Sequence, residues 1–92
     1  MSWEVLQTRR FARTYKKLKP EIVRHVDQAV EKIQADPEIG QQKKGDLARL
    51  RVYKFHAANQ LFLLGYTLEE SPRLIYLQAV GPHENFYQRV KR

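Results

Sequence analysis

The chain has 92 residues and a formal net charge of +7, from 17 lysines and arginines against 10 acidic residues. That length suits one domain over residues 1–92 with a thin core, and it disfavours a large enclosed active site. With no cysteine the chain has no disulfide framework and no cysteine-based zinc or redox site, which fits a reducing cytosol.

Residues 3–7 alternate apolar Trp3 and Val5 with Glu4 and read as a first strand. The amino-terminal residues carry no long apolar stretch, so no secretory signal is expected. No run of about 18 apolar residues is available, so no segment is expected to span a membrane. Thr8 is placed to cap a helix over residues 9–18, where Phe11, Tyr15 and Leu18 fall at i, i+4 and i+7. Its other face is basic, with Arg9, Arg10, Arg13, Lys16, Lys17 and Lys19.

Pro20 suits the first turn of a second helix, whose apolar stripe is Ile22, Val23, Val26, Val30 and Ile33. Asp36-Pro37 ends it, because a residue before proline is pushed out of the helical region. Residues 36–46 read as a polar loop. The period then changes from helical to alternating. Over residues 48–55, Leu50 and Val52 fall on one side, with Arg49, Arg51, Tyr53 and Phe55 on the other. Lys54 shares the side of Leu50 and Val52.

Residues 56–59 form a turn in which Asn59 tolerates positive φ. Residues 60–67 are an almost unbroken apolar run, as expected of a central strand buried on both faces. Residues 69–72 are a second turn and 73–80 a further strand, stopped by Gly81-Pro82. Residues 83–90 suit a short helix docked by Phe86 and Val90.

The order is β-α-α-β-β-β with a short C-terminal helix. The fold class is α+β, two N-terminal helices packed on a small antiparallel sheet. The helices cover one sheet face. On a chain this basic, the other face is where a ligand belongs. The positive charge points to RNA or DNA phosphates or an acidic protein; an anionic membrane is not expected as a partner, because a helix lying on it would need a larger apolar face than Phe11, Tyr15 and Leu18 provide.

Three constellations can carry chemistry. The interleaved Arg49, Arg51, Tyr53 and Phe55 match a surface where guanidinium forks bind phosphate and rings stack on unpaired bases. Lys43, Lys44 and His56 flank that strand as further RNA contacts. In the tail, His83 and Tyr87 are one helical turn apart and suit proton transfer, with Arg89 beside them to meet developing negative charge. The basic helix face is the third, and for any single residue a solvated surface explains it. His25 reads as structural. There is no glycine-rich phosphate loop, no metal-ligating pair and no recognisable serine nucleophile, so neither metal nor cofactor is expected.

The segment Gly45-Asp46-Leu47-Ala48-Arg49-Leu50-Arg51-Val52-Tyr53-Lys54-Phe55 resembles the central strand of RelE/ParE toxins. So does the tail Ala79-Val80-Gly81-Pro82-His83-Glu84-Asn85-Phe86-Tyr87-Gln88-Arg89. The resemblance extends over almost the whole chain. It implies a compact antiparallel sheet backed by two helices, and a neighbouring gene for an antitoxin that wraps the toxin. RelE-like members cut messenger RNA in the ribosomal A site without a metal, the substrate's own 2′-hydroxyl attacking the adjacent phosphate. ParE-like members poison DNA gyrase.

By that resemblance the catalytic set is His83, Tyr87, Lys54 and Arg51, with Arg89 as a phosphate clamp. The chain departs from many RelE-like enzymes at Asn59-Gln60, where they carry an arginine at the start of the third strand. Three functions follow: a ribosome-dependent endoribonuclease, a non-enzymatic gyrase inhibitor, or an inactive module that binds an antitoxin. The cytoplasm is the expected location of each.

Overall fold

The computed structural model describes residues 3–90. Its elements are β1 (Glu4–Gln7), α1 (Arg9–Lys16), α2 (Pro20–Ala35), β2 (Gln41–Gln42), β3 (Arg51–Ala57), β4 (Gln60–Glu70), β5 (Arg73–Pro82) and α3 (Phe86–Val90). Short 3-10 turns at Gly45–Leu47 and His83–Asn85 precede β3 and α3.

The five strands form one sheet in the order β1-β5-β4-β3-β2. β3, β4 and β5 make the expected antiparallel meander, with Lys54 opposite Leu63 and Leu63 opposite Gly81. Ala58 and Asn59 turn the first hairpin with φ of 53° and 59°. Two consecutive positive values are the signature of the hairpin turn that matches strand twist. Asn accepts that conformation readily, whereas alanine bears about 1 kcal/mol of steric cost. β4 is central, and residues 62–66 are all buried.

The sheet departs from expectation at both edges. β1 pairs parallel to β5, Val5 opposite Ile75, so the sheet is mixed rather than wholly antiparallel. No turn signal announces a pairing between segments so far apart in sequence. At the other edge the polar loop contains β2, two glutamines paired antiparallel to β3. So short a polar strand leaves no alternation to read. β5 also runs through Gly81 to Pro82. Pro82 faces Phe62, beyond the reach of β1, so its missing N–H interrupts no ladder on the β1 side.

Both helices cover one face. Thr8 caps α1: its hydroxyl accepts from the Phe11 N–H at 3.2 Å and donates to the Leu77 carbonyl at 3.1 Å, tying the helix start to β5. Pro20 opens α2 and Asp36 closes it. Phe11, Val26 and Ile33 meet Phe62, Leu64, Tyr66, Ile75 and Leu77 in the main core. The Tyr15 hydroxyl donates to Asp27 at 2.7 Å and joins the helices. A second, smaller cluster lies on the opposite face, where Phe86 packs with Leu50, Val52, Leu63 and Ala79. α3 crosses the sheet there and leaves the rest of that face open.

Candidate nucleic-acid interface

Strand parity decides which side chains can meet a ligand. On β3, Val52 belongs to the small cluster on the open face, so Lys54 and His56 point the same way, and both are exposed. Arg51, Tyr53 and Phe55 point toward the helices. Tyr53 and Phe55 pack on the main core, their rings 6.3 Å apart, and Phe55 stacks on Phe62 at 5.8 Å. The sequence reading set these two rings against RNA bases. The structure corrects their setting. Alternation tells which residues share a face, and only the position of the helices tells which face is covered.

Arg51 faces away from Lys54 as well. Its guanidinium donates to the Gly40 carbonyl at 2.9 Å and the Glu38 carbonyl at 3.2 Å, on the loop between α2 and β2. Those bonds engage it in holding backbone.

The tail docks through Phe86, which is 2% exposed. Its ring reaches the sheet over Gly65, where a Cβ would lie 3.0 Å from the ring Cζ. A glycine at that point lets α3 approach the strand. Tyr87 then stands with its ring edge-on to Phe86, centroids 5.2 Å apart. The Lys43 ammonium sits 5.3 Å from the Tyr87 ring centroid, a cation–π contact between the loop after β2 and the tail. His83 is exposed in the turn that leaves β5. Gly81 lies two strands from Lys54, about 10 Å at ordinary strand spacing, so His83 emerges at the same end of the sheet. His83 and Tyr87 are not hydrogen-bonded to each other among the described residues.

The structure thus leaves Lys54, His56 and His83 exposed toward one end of the sheet and sets Lys43 against Tyr87 on α3, opposite Leu50, four residues before Lys54 in the chain. Neither Lys43 nor Lys54 has an ion-pair partner among the described residues, so both charges remain for a ligand. Lys44 is exposed on the adjoining loop. Arg49 lies elsewhere. It pairs with Glu69 at 2.9 Å and lines an open groove of about 610 Å³ with Thr8, Arg10, Thr67, Gln78 and Val90, beyond α3. The Arg89 side chain lies outside the described part of the structure. Among the described residues no cluster of three or more His, Asp or Glu side chains is placed to hold a metal ion.

The sequence reading missed Tyr66. It is fully buried, and its hydroxyl donates to the Pro37 carbonyl at 2.6 Å and accepts from the Gly40 N–H at 2.9 Å. Burial raises its pKa above the usual 10.0, against the lowering effects of the Gly40 N–H and the nearby Arg51. The signal was available: a tyrosine in an apolar central strand needs a partner for its hydroxyl.

A family model for ParE-like toxins of type II bacterial toxin-antitoxin systems matches residues 5–91. The chain belongs to this family. Solved structures share the toxin's fold. A double-arginine mutant of the E. coli toxin RelE in the free state matches with a TM-score of 0.78 at 15% identity, over 99% of this chain and 92% of that one. A chain of the toxin-antitoxin complex RelBE2 from Mycobacterium tuberculosis gives 0.78 at 19% identity, over 90% and 100%. One from the archaeal RelE-RelB complex of Pyrococcus horikoshii gives 0.62 at 15%, over 91% and 98%. Identities this low speak for the fold alone. No curated protein matches the toxin's sequence. The family and the α+β fold therefore stand as the resemblance implied.

Proposed function

We propose that this toxin is a metal-independent endoribonuclease that cuts messenger RNA on the ribosome and blocks translation. The observation that carries this reading is Lys54 on the open face, with no ion-pair partner among the described residues, at the sheet end where His83 emerges, together with the Lys43–Tyr87 contact farther along that face. Charge of one sign on an open sheet suits a substrate whose own backbone is anionic.

The chemistry needs no external nucleophile. A 2′-hydroxyl of the message attacks the adjacent phosphorus, and the bond to the 5′-oxygen of the next nucleotide breaks. One protein group takes the 2′-hydroxyl proton and another returns a proton to the leaving 5′-oxygen. The products are a 2′,3′-cyclic phosphate and a 5′-hydroxyl. His83 and Tyr87 are the proton-transfer groups, and Lys54 and Lys43 meet the charge that builds on the phosphorane.

A cognate antitoxin is the natural protein partner, since relatives of this fold were solved as toxin-antitoxin complexes. An acidic segment that orders on the cationic surface fits the +7 charge. No described helix is long and apolar enough to cross a membrane, and we place the activity in the cytoplasm with the ribosome.

Gyrase inhibition is the second reading. The matching family model is described as ParE-like, and exposed Gln60 opens β4 where many RelE-like enzymes carry arginine. Adding the protein to programmed ribosomes and mapping message ends by primer extension separates the two. Cuts at A-site codons that Tyr87→Phe weakens at least tenfold support the endonuclease. Intact messages, with supercoiling by gyrase blocked, overturn it in favour of the second reading.

A further inference from the structure

The loop between α2 and β2 is held to the sheet by polar contacts from Tyr66 and Arg51. We propose that Tyr66 and Arg51 are positioning residues, which clamp residues 37–40 and thereby hold Lys43 over the Tyr87 ring. The catalytic consequence rests on the endonuclease reading; the geometry does not.

The clamp has two jaws. From beneath, the buried Tyr66 hydroxyl donates to the Pro37 carbonyl at 2.6 Å and accepts from the Gly40 N–H at 2.9 Å. From the β3 edge, Arg51 donates to the carbonyls of Gly40 at 2.9 Å and Glu38 at 3.2 Å. Arg51 and Tyr66 are direct cross-strand partners, so both jaws close from one point of the sheet. The Ile39 N–H donates to the Asp36 carbonyl at 2.9 Å and closes the turn between them. A Cβ on Gly40 would lie 2.7 Å from the Tyr66 hydroxyl and 2.8 Å from its Cε1, so only glycine lets the loop seat this deeply.

Hydrogen bonding then continues without a break toward the site. Gln41 and Gln42 pair with Val52 and Arg51. The Gln42 side chain donates to the Ala48 carbonyl at 3.1 Å, and the Lys43 N–H donates to the Leu50 carbonyl at 2.9 Å. The next contact is the Lys43 ammonium, 5.3 Å from the Tyr87 centroid. A lone cation–π contact at a part-exposed position is weak against the rotamer entropy of a lysine stem. Backbone register has to supply the placement, and the clamp fixes where that register begins. Displacements of about 1 Å at such a distance from the chemistry can lower rates on the order of a hundredfold.

The test reads Lys43 directly. In the wild-type protein the ε-methylene signals of Lys43 are expected upfield, shifted by the ring current of Tyr87, with Tyr87→Leu as the unshifted reference. Tyr66→Phe removes only the hydroxyl, and Arg51→Met removes the other jaw while keeping much of the stem. Both are expected to move the Lys43 signals most of the way to the reference, with core methyl signals unchanged. In the ribosome assay each is expected to lower kcat about tenfold with KM unchanged, and Lys43→Ala added to Tyr66→Phe should lower it no further. If the Lys43 signals stay at their wild-type positions in both variants, or already match the reference in the wild type, the clamp is overturned. The two readings fail separately. A wild-type protein that cuts no message fails the endonuclease, while the Lys43 shift in the variants still upholds the clamp.

Discussion

The two faces of this sheet are built from the same strands, residue by residue in alternation, and they do opposite work. The helix-covered face gathers Phe11, Ile33, Phe62, Leu64, Tyr66 and Ile75 into the main core, all of them at most 4% exposed. The other face carries the small cluster under Phe86 and otherwise presents Lys54, His56 and the surroundings of the tail to solvent. One face therefore supplies stability and the other is free to supply chemistry. A chain with so little interior can host a site only where it has already given up burial.

Paired substitutions break this comparison most directly. Leu64→Ala on the closed face deletes a fully buried side chain and should cost about 2–5 kcal/mol of stability by urea titration. Lys54→Ala, one strand away on the open face, should shift stability by less than about 0.5 kcal/mol. The same change should slow message cleavage on the order of a hundredfold, the scale of losing one charge-stabilising group. A loss of more than about 2 kcal/mol for Lys54→Ala would mean that the open face contributes to folding and the division is wrong.

Alkaline pH sharpens the contrast, because both tyrosines with raised pKa values serve the closed face. Tyr15 is raised first by its hydrogen bond to Asp27, then by burial and by the charge of that carboxylate. Tyr66 is raised chiefly by burial, with Asp36 and Glu38 adding to it. A folded pKa above the unfolded value means that the folded state keeps its proton longer. The stabilisation is complete below the ordinary value of 10.0 and drains away as pH rises through the folded values. Urea midpoints should therefore fall more steeply above that value in the wild type than in Tyr15→Phe/Tyr66→Phe. Parallel curves would show that these hydroxyls ionise as freely folded as unfolded.

Much of this was legible in the sequence, for reasons that can be named. The 3.6 period of Phe11, Tyr15 and Leu18, the Pro20 start and Asp36-Pro37 stop of α2, and the apolar run of β4 are local signals. All three became the elements expected. The parallel seat of β1 on β5 and the two-residue β2 were not legible, because pairing between distant or polar segments leaves no periodic trace. For the candidate site, residue type and resemblance single out Lys54, His56, His83 and Tyr87, and their roles there are part of the proposal. That Tyr53 and Phe55 face the helices could not, since alternation alone is symmetric between two faces. Arg51 shows the same limit in another form. Nothing in its neighbours says that its guanidinium spends itself on the carbonyls of Glu38 and Gly40.

Arg49 gives the smallest expected effect and the finest test of where the site ends. Its 2.9 Å pair with Glu69 joins side chains that are 79% and 49% exposed. Water and salt screen such a pair, so Arg49→Gln should change stability by less than about 0.5 kcal/mol. Its side of α3 is the groove shared with Arg10, Thr67 and Gln78, apart from Lys54. If a message runs past α3 into that groove, Arg49 meets a flanking phosphate and releases a counterion there. The slope of log affinity against log salt for single-stranded RNA should then flatten by about 0.7 in Arg49→Gln. Cleavage of bound message should change little, because the residue stands away from the scissile phosphate. Glu69→Gln serves as the control, since it frees Arg49 without removing a cation and should not flatten the slope. An unchanged slope in Arg49→Gln would confine the RNA to the Lys54 side of α3. The groove would then lie outside the path of the RNA, with Phe86 marking where that path ends on the open face.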